Sequence, residues 1–280
     1  MKKIYGLIVT LAFLLFLSSC AGSRRSAYDV INYGKYPKSI VSDKKIISAL
    51  DALDEKSVNS LGYYEYNGNE YAKIIANVIE DSETYFSDNS PVKKGKTYYF
   101  LVEPISWRIM NQTDKEYILI SEFILSVTKY DQVGKDIKYD NSQLRSYLNS
   151  SFLSRAFSGE SKTPIKTKIG VSNIGSSASQ VYIEDSVWIP SVEELSAENG
   201  FPHVDDKYAF TTDYSRAMGA LLYLDSPNSY YYNASPYPTR TYSSVTENEI
   251  FCIDYFGKSM VASDEYFPNC SIRPCIKISK

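Results

Sequence analysis

The order of periodic segments in this 280-residue chain predicts an α+β fold of short antiparallel strands with a few helices. Three observations carry that expectation. Strand-like runs come early and return at the end, helical periodicity is confined to a few stretches, and the regular strand–helix alternation of a doubly wound sheet is missing. The elements follow in order. Lys44 to Ser57 reads as a helix capped by Asp43, with Ile46, Ile47, Leu50 and Leu53 on one face. Gly62 to Tyr66 and Glu70 to Val78 alternate around Asn67-Gly68, a strong short hairpin signal, with the loop length left open by Asn69. Thr97 to Val102, Ile105 to Met110 and Tyr117 to Ser121 read as strands. Asn141 and Ser142 cap a helix to about Phe157, whose apolar face is Leu144, Tyr147, Leu148, Leu153 and Ala156. A short helix is expected at Val192 to Ala197 after Pro190-Ser191, and another from the Thr211-Thr212-Asp213 cap through Tyr214 to Leu221. Beyond Leu224 only strands are expected: Thr239 to Val245, Ile250 to Tyr255, Lys258 to Ala262 and Ser271 to Ile278, with Phe256-Gly257 turning the middle pair.

The N-terminus carries a different kind of signal. Lys2 and Lys3 precede a fourteen-residue apolar run, Ile4 to Leu17, which ends in Leu17-Ser18-Ser19-Cys20. A positive n-region, an apolar h-region and small residues before a cleavage point make an export signal. At about 1.5 Å per residue the run spans roughly 21 Å, short of a hydrocarbon core of about 30 Å. The segment resembles the lipobox of bacterial lipoproteins, which implies that Cys20 is acylated and becomes the mature N-terminus. Several acyl chains anchor stably where one is marginal. The expected organisation is a signal peptide at 1–19, a lipidated tether at 20–39 beginning Ala-Gly-Ser-Arg-Arg-Ser after the cysteine, a helix and hairpin extension at 40–95, and the main domain at 96–280.

Charge narrows the partners. The chain has 30 basic and 33 acidic residues, a formal charge of −3 that becomes −5 once Lys2 and Lys3 are removed. Nothing in that balance points to nucleic acid or to an anionic lipid surface. The 26 tyrosines against 12 phenylalanines and two tryptophans suit strands and binding surfaces. A Lys/Asn/Tyr-leaning genome writing core aromatics as tyrosine accounts for that excess as well. With Cys20 assigned to lipid, Cys252, Cys270 and Cys275 remain in an oxidising compartment, an odd number with three possible pairings, of which Cys270 with Cys275 is local. No CxxC is present, so zinc and thioredoxin-type redox chemistry have no motif to rest on.

Catalytic motifs are similarly sparse. His203 is the only histidine, and Gly-x-Ser-x-Gly, His-Glu-x-x-His and phosphate-binding glycine loops are missing. The acidic pairs Glu193-Glu194 and Asp205-Asp206 keep a glycosidase open, although Glu193 and Glu194 also suit the first turn of the expected helix. The segment Asp225 to Pro238 is the best candidate recognition surface. With Tyr223, its Tyr230, Tyr231, Tyr232 and Tyr237 among Ser, Asn and Pro give the composition of an adaptable binding loop. A surface connection whose tyrosines cover the core is the alternative.

An ordered series of short motifs runs along most of the chain: Tyr33-Gly34-Lys35-Tyr36-Pro37, Ile105-Ser106-Trp107-Arg108-Ile109, Leu119 to Leu125, and Asn141 to Asn149 with Arg145. It continues through Ala156-Phe157-Ser158, Pro190-Ser191-Val192-Glu193-Glu194, Thr211 to Ala217, Thr239-Arg240-Thr241 and Ile272-Arg273-Pro274. The series resembles an uncharacterised bacterial domain-of-unknown-function family of exported and lipid-anchored proteins. The resemblance implies a C-type-lectin-like scaffold of the kind shared with formylglycine-generating domains, and carries no catalytic residue, metal or cofactor. Where members often have tryptophans, this chain has Tyr230-Tyr231-Tyr232, and Ser271 stands where many have glycine. The lectin-type calcium loop is represented only by Ser226-Pro227-Asn228 and Phe267-Pro268-Asn269, which lack the first ligand. Arg108, Arg145, Arg240 and Arg273 are expected as staples that bond loop carbonyls while their stems pack on apolar surface, and Trp107 as a core anchor. The expectation is a lipid-anchored, extracytoplasmic, non-catalytic module that recognises a glycan, peptide or envelope protein. The alternatives are a carbohydrate-active hydrolase using acidic residues or a structural envelope lipoprotein.

Overall fold

The computed structural model describes residues 28–78, 83–131, 138–171, 173–174, 181–243, 249–263 and 269–280. The leader, Cys20 and the first part of the expected tether lie outside them, as do residues 267 and 268 of the second proline loop. Residues 30–39 are not a tether. They form β1 (Val30–Ile40), a strand of the main sheet in which Tyr36 and Pro37 are buried. Gly34, at φ +70°, sits in a register shift of this strand, and a Cβ there would lie 2.6 Å from the Ala156 carbonyl oxygen. Only glycine permits that approach.

Asp43 caps α1 (Lys44–Asp51), accepting from the Lys45 and Ile46 amides at 2.7 and 3.5 Å. The helix stops short of Ser57 because Asp54 takes the Lys56 amide (3.0 Å) and starts a separate 3₁₀ turn, the local bond with which aspartate competes against helix. β2 (Tyr64–Tyr66) and β3 (Asn69–Ile75) pair across Asn67-Gly68, whose φ values of +49° and +75° give the I′ type of two-residue turn. Leu50, Tyr64, Tyr71 and Tyr99 close a small cluster between α1 and this hairpin.

The two strands expected around Glu103-Pro104 are one, β4 (Thr97–Gln112). It pairs with β3 at 97–101, with β5 (Glu116–Ser121) at 107–112 and with β1 along 100–108. Pro104 falls between the β3 and β5 segments and opposite Lys35, at the β1 register shift, where a residue without N–H is tolerated. β6 (Phe123–Ile124) and β7 (Ser126–Thr128) follow.

Ser142 caps α2 (Gln143–Tyr147) through the Arg145 amide (3.1 Å). One turn of π-helix, Leu148–Phe152, separates it from α3 (Leu153–Phe157). Leu144, Leu148, Phe152 and Ala156 are all buried. A four-residue spacing drifts about 40° per step on an α-helix, and the wider turn restores the alignment.

β8 (Thr167–Val171), β9 (Asn173–Ile174), β10 (Val181–Asp185) and β11 (Val187–Trp188) come next. Residues 192–197 make no α-helix. Ser191 and Glu194 do form reciprocal cap bonds (3.1 and 3.2 Å), but Thr241 accepts no continuation: its hydroxyl takes the Val192 amide (3.0 Å), and the segment passes into a 3₁₀ turn closed by Gly200 at φ +80°. After β12 (Ala209–Thr211), α4 (Asp213–Ala217) is capped by Thr212 and ends before Leu221, because Gly219 turns at φ +98° against the Asn77 carbonyl. The final strands are β13 (Ala234–Ser235), β14 (Tyr237–Ser243), β15 (Glu249–Ile253), β16 (Ser259–Ser263), β17 (Cys270–Ile272) and β18 (Cys275–Ser279). The single strand expected over Ser271 to Ile278 breaks at Arg273-Pro274, so that β17 joins β7 and β18 joins β5.

The central sheet runs β11-β18-β5-β4-β3-β2 with β1 on the other edge of β4. Smaller sheets run β16-β15-β14-β9 and β13-β12-β6, beside the pairs β10-β8 and β17-β7. The architecture is α+β and mostly strand. One continuous apolar core runs from Tyr36 to Ile278, so the first strand and the hairpin share it with the C-terminal strands. Cys252, Cys270 and Cys275 are buried, and the local Cys270–Cys275 disulfide is not formed. Burial pushes the Cys252 and Cys275 thiols up, away from the reactive thiolate. Among the described residues no helix is long and apolar enough to cross a membrane.

Gly34→Ala is expected to lower stability by more than the ~1–3 kcal/mol of a left-handed backbone alone, because β1 must also move off α3. Gly68→Ala, with φ +75° and open space around it, is expected to incur the backbone cost only. Urea midpoints for the two variants check this, and equal midpoints would contradict the placement of β1.

Candidate functional site

Two fully buried arginines, Arg108 and Arg273, underlie a cluster of partly exposed aromatic rings. Arg273, at the break between β17 and β18, donates from Nε to the Ser121 carbonyl (3.0 Å) and from Nη1 to the Lys207 carbonyl (2.7 Å) and the Tyr237 hydroxyl (3.0 Å). Tyr237 donates in turn to the Lys207 carbonyl (2.5 Å). Burial holds the Tyr237 phenol above its ordinary pKa despite the opposing charge of Arg273, so it stays a neutral donor. Arg108, on β4, donates to the Asp206 carbonyl (2.9 Å), lies 3.5 Å from the Glu122 carboxylate and packs over the rings of Tyr28 (3.4 Å) and Phe201 (4.9 Å). The Tyr28 hydroxyl also donates to Glu122. Two arginines that meet at Phe201 thus hold the consecutive carbonyls of Asp206 and Lys207.

The loop so fixed carries the surface above it. Asp205 accepts from the Tyr231 hydroxyl (2.8 Å). The Tyr231 ring stands edge-on to Tyr208 (5.2 Å) and Phe256 (5.0 Å), and Phe256 stands edge-on to Tyr223 (5.2 Å) and Tyr255 (6.4 Å). Phe256 is presented by a tight turn in which the Asp254 carboxylate accepts the Phe256 and Lys258 amides (2.9 and 2.8 Å). That turn presses on the same loop: Gly257 has φ +81°, and a Cβ on it would lie 2.0 Å from the Val204 carbonyl oxygen. Tyr223 is held by backbone bonds with Ala234 and Asn233 (2.9 and 3.0 Å), which close the base of loop 225–232. The result is a preformed platform of partly exposed rings, with Tyr230 standing 54% exposed beside it.

The candidate residues therefore separate. Tyr230 is exposed, Tyr231 and Tyr232 are half-buried, and Tyr237 is wholly buried, which corrects its assignment as a ligand-binding residue. Its position in β14 turns it inward onto Arg273. Arg240 donates to the Gly170 and Ile189 carbonyls (2.7 and 2.8 Å) and makes a two-pronged pair with Glu194 (2.5 Å each). Arg145 makes a similar pair with Asp185 (2.8–3.0 Å) and takes the Asp140 carbonyl (2.5 Å). Trp107 is buried, its indole N–H donating to the Tyr33 carbonyl (2.7 Å). Of the acidic pairs, Asp206 is buried and accepts the His203 backbone amide (3.0 Å), while Glu193 accepts from Thr241 (3.3 Å). Sequence reasoning overlooked Tyr28, Phe201, Tyr208, Tyr255 and Phe256. The last two were visible only as the flank of the glycine turn.

Fold and site together define a mostly-β α+β protein with an arginine-braced aromatic surface. A family model described as Domain of unknown function (DUF6273) matches residues 114–280, well over half of the chain, and the chain belongs to that family. The matched stretch contains the platform and Arg145, Arg240 and Arg273, while Trp107 and Arg108 precede it. No curated protein and no solved structure matches the chain.

Tyr237→Phe removes a hydroxyl that joins Arg273 to Lys207, and is expected to destabilise by ~1–3 kcal/mol through the unsatisfied buried partners. Tyr230→Phe is expected to change stability by less than about 0.5 kcal/mol. Urea unfolding of both checks this, and equal midpoints would contradict the inward role of Tyr237.

Proposed function

We propose that this chain is a lipid-anchored, extracytoplasmic recognition protein that binds a glycan or an extended peptide of the cell envelope through the ring platform. The observation that carries the reading is the platform itself: Tyr223, Tyr231, Tyr255 and Phe256 lie edge-to-face and partly exposed, fixed from below by Asp205 and the loop that carries it. Rigid aromatic rings offer large contact area at low entropic cost, and their hydroxyls add hydrogen bonds at the rim. Large surface rings held in place before binding are the usual form of a preorganised contact. The export-like leader and Cys20 support the cellular placement, since the lipobox resemblance implies acylation at that cysteine. The resemblance to C-type-lectin-like domains supports a scaffold whose loops, rather than its strands, meet the ligand. On this reading the carboxylates in the neighbouring loops orient the platform and perform no chemistry.

Binding of the full chain to arrayed cell-wall glycan fragments and envelope peptides tests the proposal. The double variant Tyr230→Ala/Tyr231→Ala is expected to weaken the bound species about 30-fold or more, the scale of a pair of contact hot spots. Unchanged affinity in a folded double variant would remove the platform as the contact surface.

A further inference from the structure

A second site lies elsewhere, where β1, the β2–β3 hairpin and α3 meet, and it shares no residue with the platform. A cavity of about 130 Å³ is lined there by Lys35, Glu70, Arg155 and Glu160, with Leu61, Val102 and Ala156 as apolar wall. Its four charged groups do not pair with one another: among the described residues neither Lys35 nor Arg155 has a carboxylate within 4.0 Å. Each acid is anchored by one oxygen only. Glu70 Oε1 accepts from the Asn59 amide group (2.9 Å) and Glu160 Oε1 from the Gly34 amide (2.8 Å).

Arg155 is held in a cage rather than in an ion pair. Its guanidinium lies 4.8 Å from the Tyr63 ring and 5.5 Å from the Tyr36 ring and meets the Tyr214 hydroxyl, while its buried Nε has no hydrogen-bond partner. Tyr36 bonds to Tyr147 (2.9 Å), which bonds to Ser126 (2.7 Å), so those hydroxyls are committed to one another. Burial pushes the Tyr36, Tyr147 and Tyr214 phenols up, so none supplies an anion at neutral pH. The π-helical turn just before α3 aligns the buried face ahead of Arg155, and such turns are frequent at functional sites. A half-buried guanidinium with no carboxylate beside it has charge to offer a ligand.

We propose that this cavity binds a small zwitterionic α-amino acid, its carboxylate on Arg155 and Lys35 and its ammonium on the second oxygens of Glu70 and Glu160. A simple anion would meet two carboxylates, and a simple cation would meet two basic groups. A ligand with both charges on one carbon satisfies all four at once. The cavity volume and the Leu61, Val102 and Ala156 wall limit the side chain to a small apolar one.

Calorimetric titration of the full chain with L-alanine and glycine tests this, with acetate, methylammonium and inorganic phosphate as single-sign controls. Saturable binding of alanine is expected, weakened at least tenfold in Arg155→Lys, which keeps the charge but loses the planar fork. Glu160→Gln is expected to weaken it similarly, and it retains an acceptor for the Gly34 amide, so it decides the matter if Arg155→Lys does not fold. No saturable binding of either amino acid, undiminished binding in a folded variant, or acetate or phosphate binding as tightly as alanine would each overturn the proposal.

Discussion

A buried guanidinium needs partners or it destabilises the fold, and in this protein backbone carbonyls supply most of them, although Arg273 Nη2 has none. Arg108, Arg273 and Arg240 are nearly or wholly buried. Between them they take the carbonyls of Asp206, Lys207, Ser121, Gly170 and Ile189. Asp206 and Lys207 lie outside the strands, so for their loop the arginines do what sheet partners do for strands. Removing one such side chain leaves the opposing carbonyls desolvated, and a surface lysine would not replace the fork.

The platform inherits its order from that arrangement. Asp206 and Lys207 are pinned from below, so Asp205 between Val204 and Asp206 faces outward in a fixed position to receive Tyr231. Val204 in the same loop is the surface against which the Gly257 turn closes, and that turn delivers Phe256. Tyr237 is part of the base and Tyr230 part of the surface, although both belong to one tyrosine-rich stretch. A chain of contacts therefore leads from the sheet through two guanidinium groups to the exposed rings.

What the sequence made legible is local chemistry. The caps at Asp43, Ser142 and Thr212, the Asn67-Gly68 hairpin and the Gly257 turn each depend on side-chain and backbone bonds within a few residues, and each stands where the motif put it. What stayed hidden depends on distant partners. Val30–Ile40 resembles a tether until its pairing with β4, some seventy residues on, is known. Pro104 ends a strand in isolation but not beside a register shift, and the Ser191–Glu194 cap starts no helix because Thr241 and Arg240 hold it from another strand. The π-helical turn within the second helical stretch leaves no mark beyond a four-residue spacing. The tyrosine loop had the right composition for a surface, but composition could not separate the buried ring from the exposed one. The family match begins at 114, while β1 and β4 on its N-terminal side share the same sheet and core, so the folding unit extends beyond the matched stretch.

The central claim is that buried arginines fix the loop beneath the platform, and amide hydrogen exchange in an Arg273→Met variant tests it most directly. The account predicts that protection falls first in residues 203–208 and 254–258, while β4 and β5 keep theirs. An even loss across the whole chain, or unchanged protection in the 203–208 loop, would contradict it.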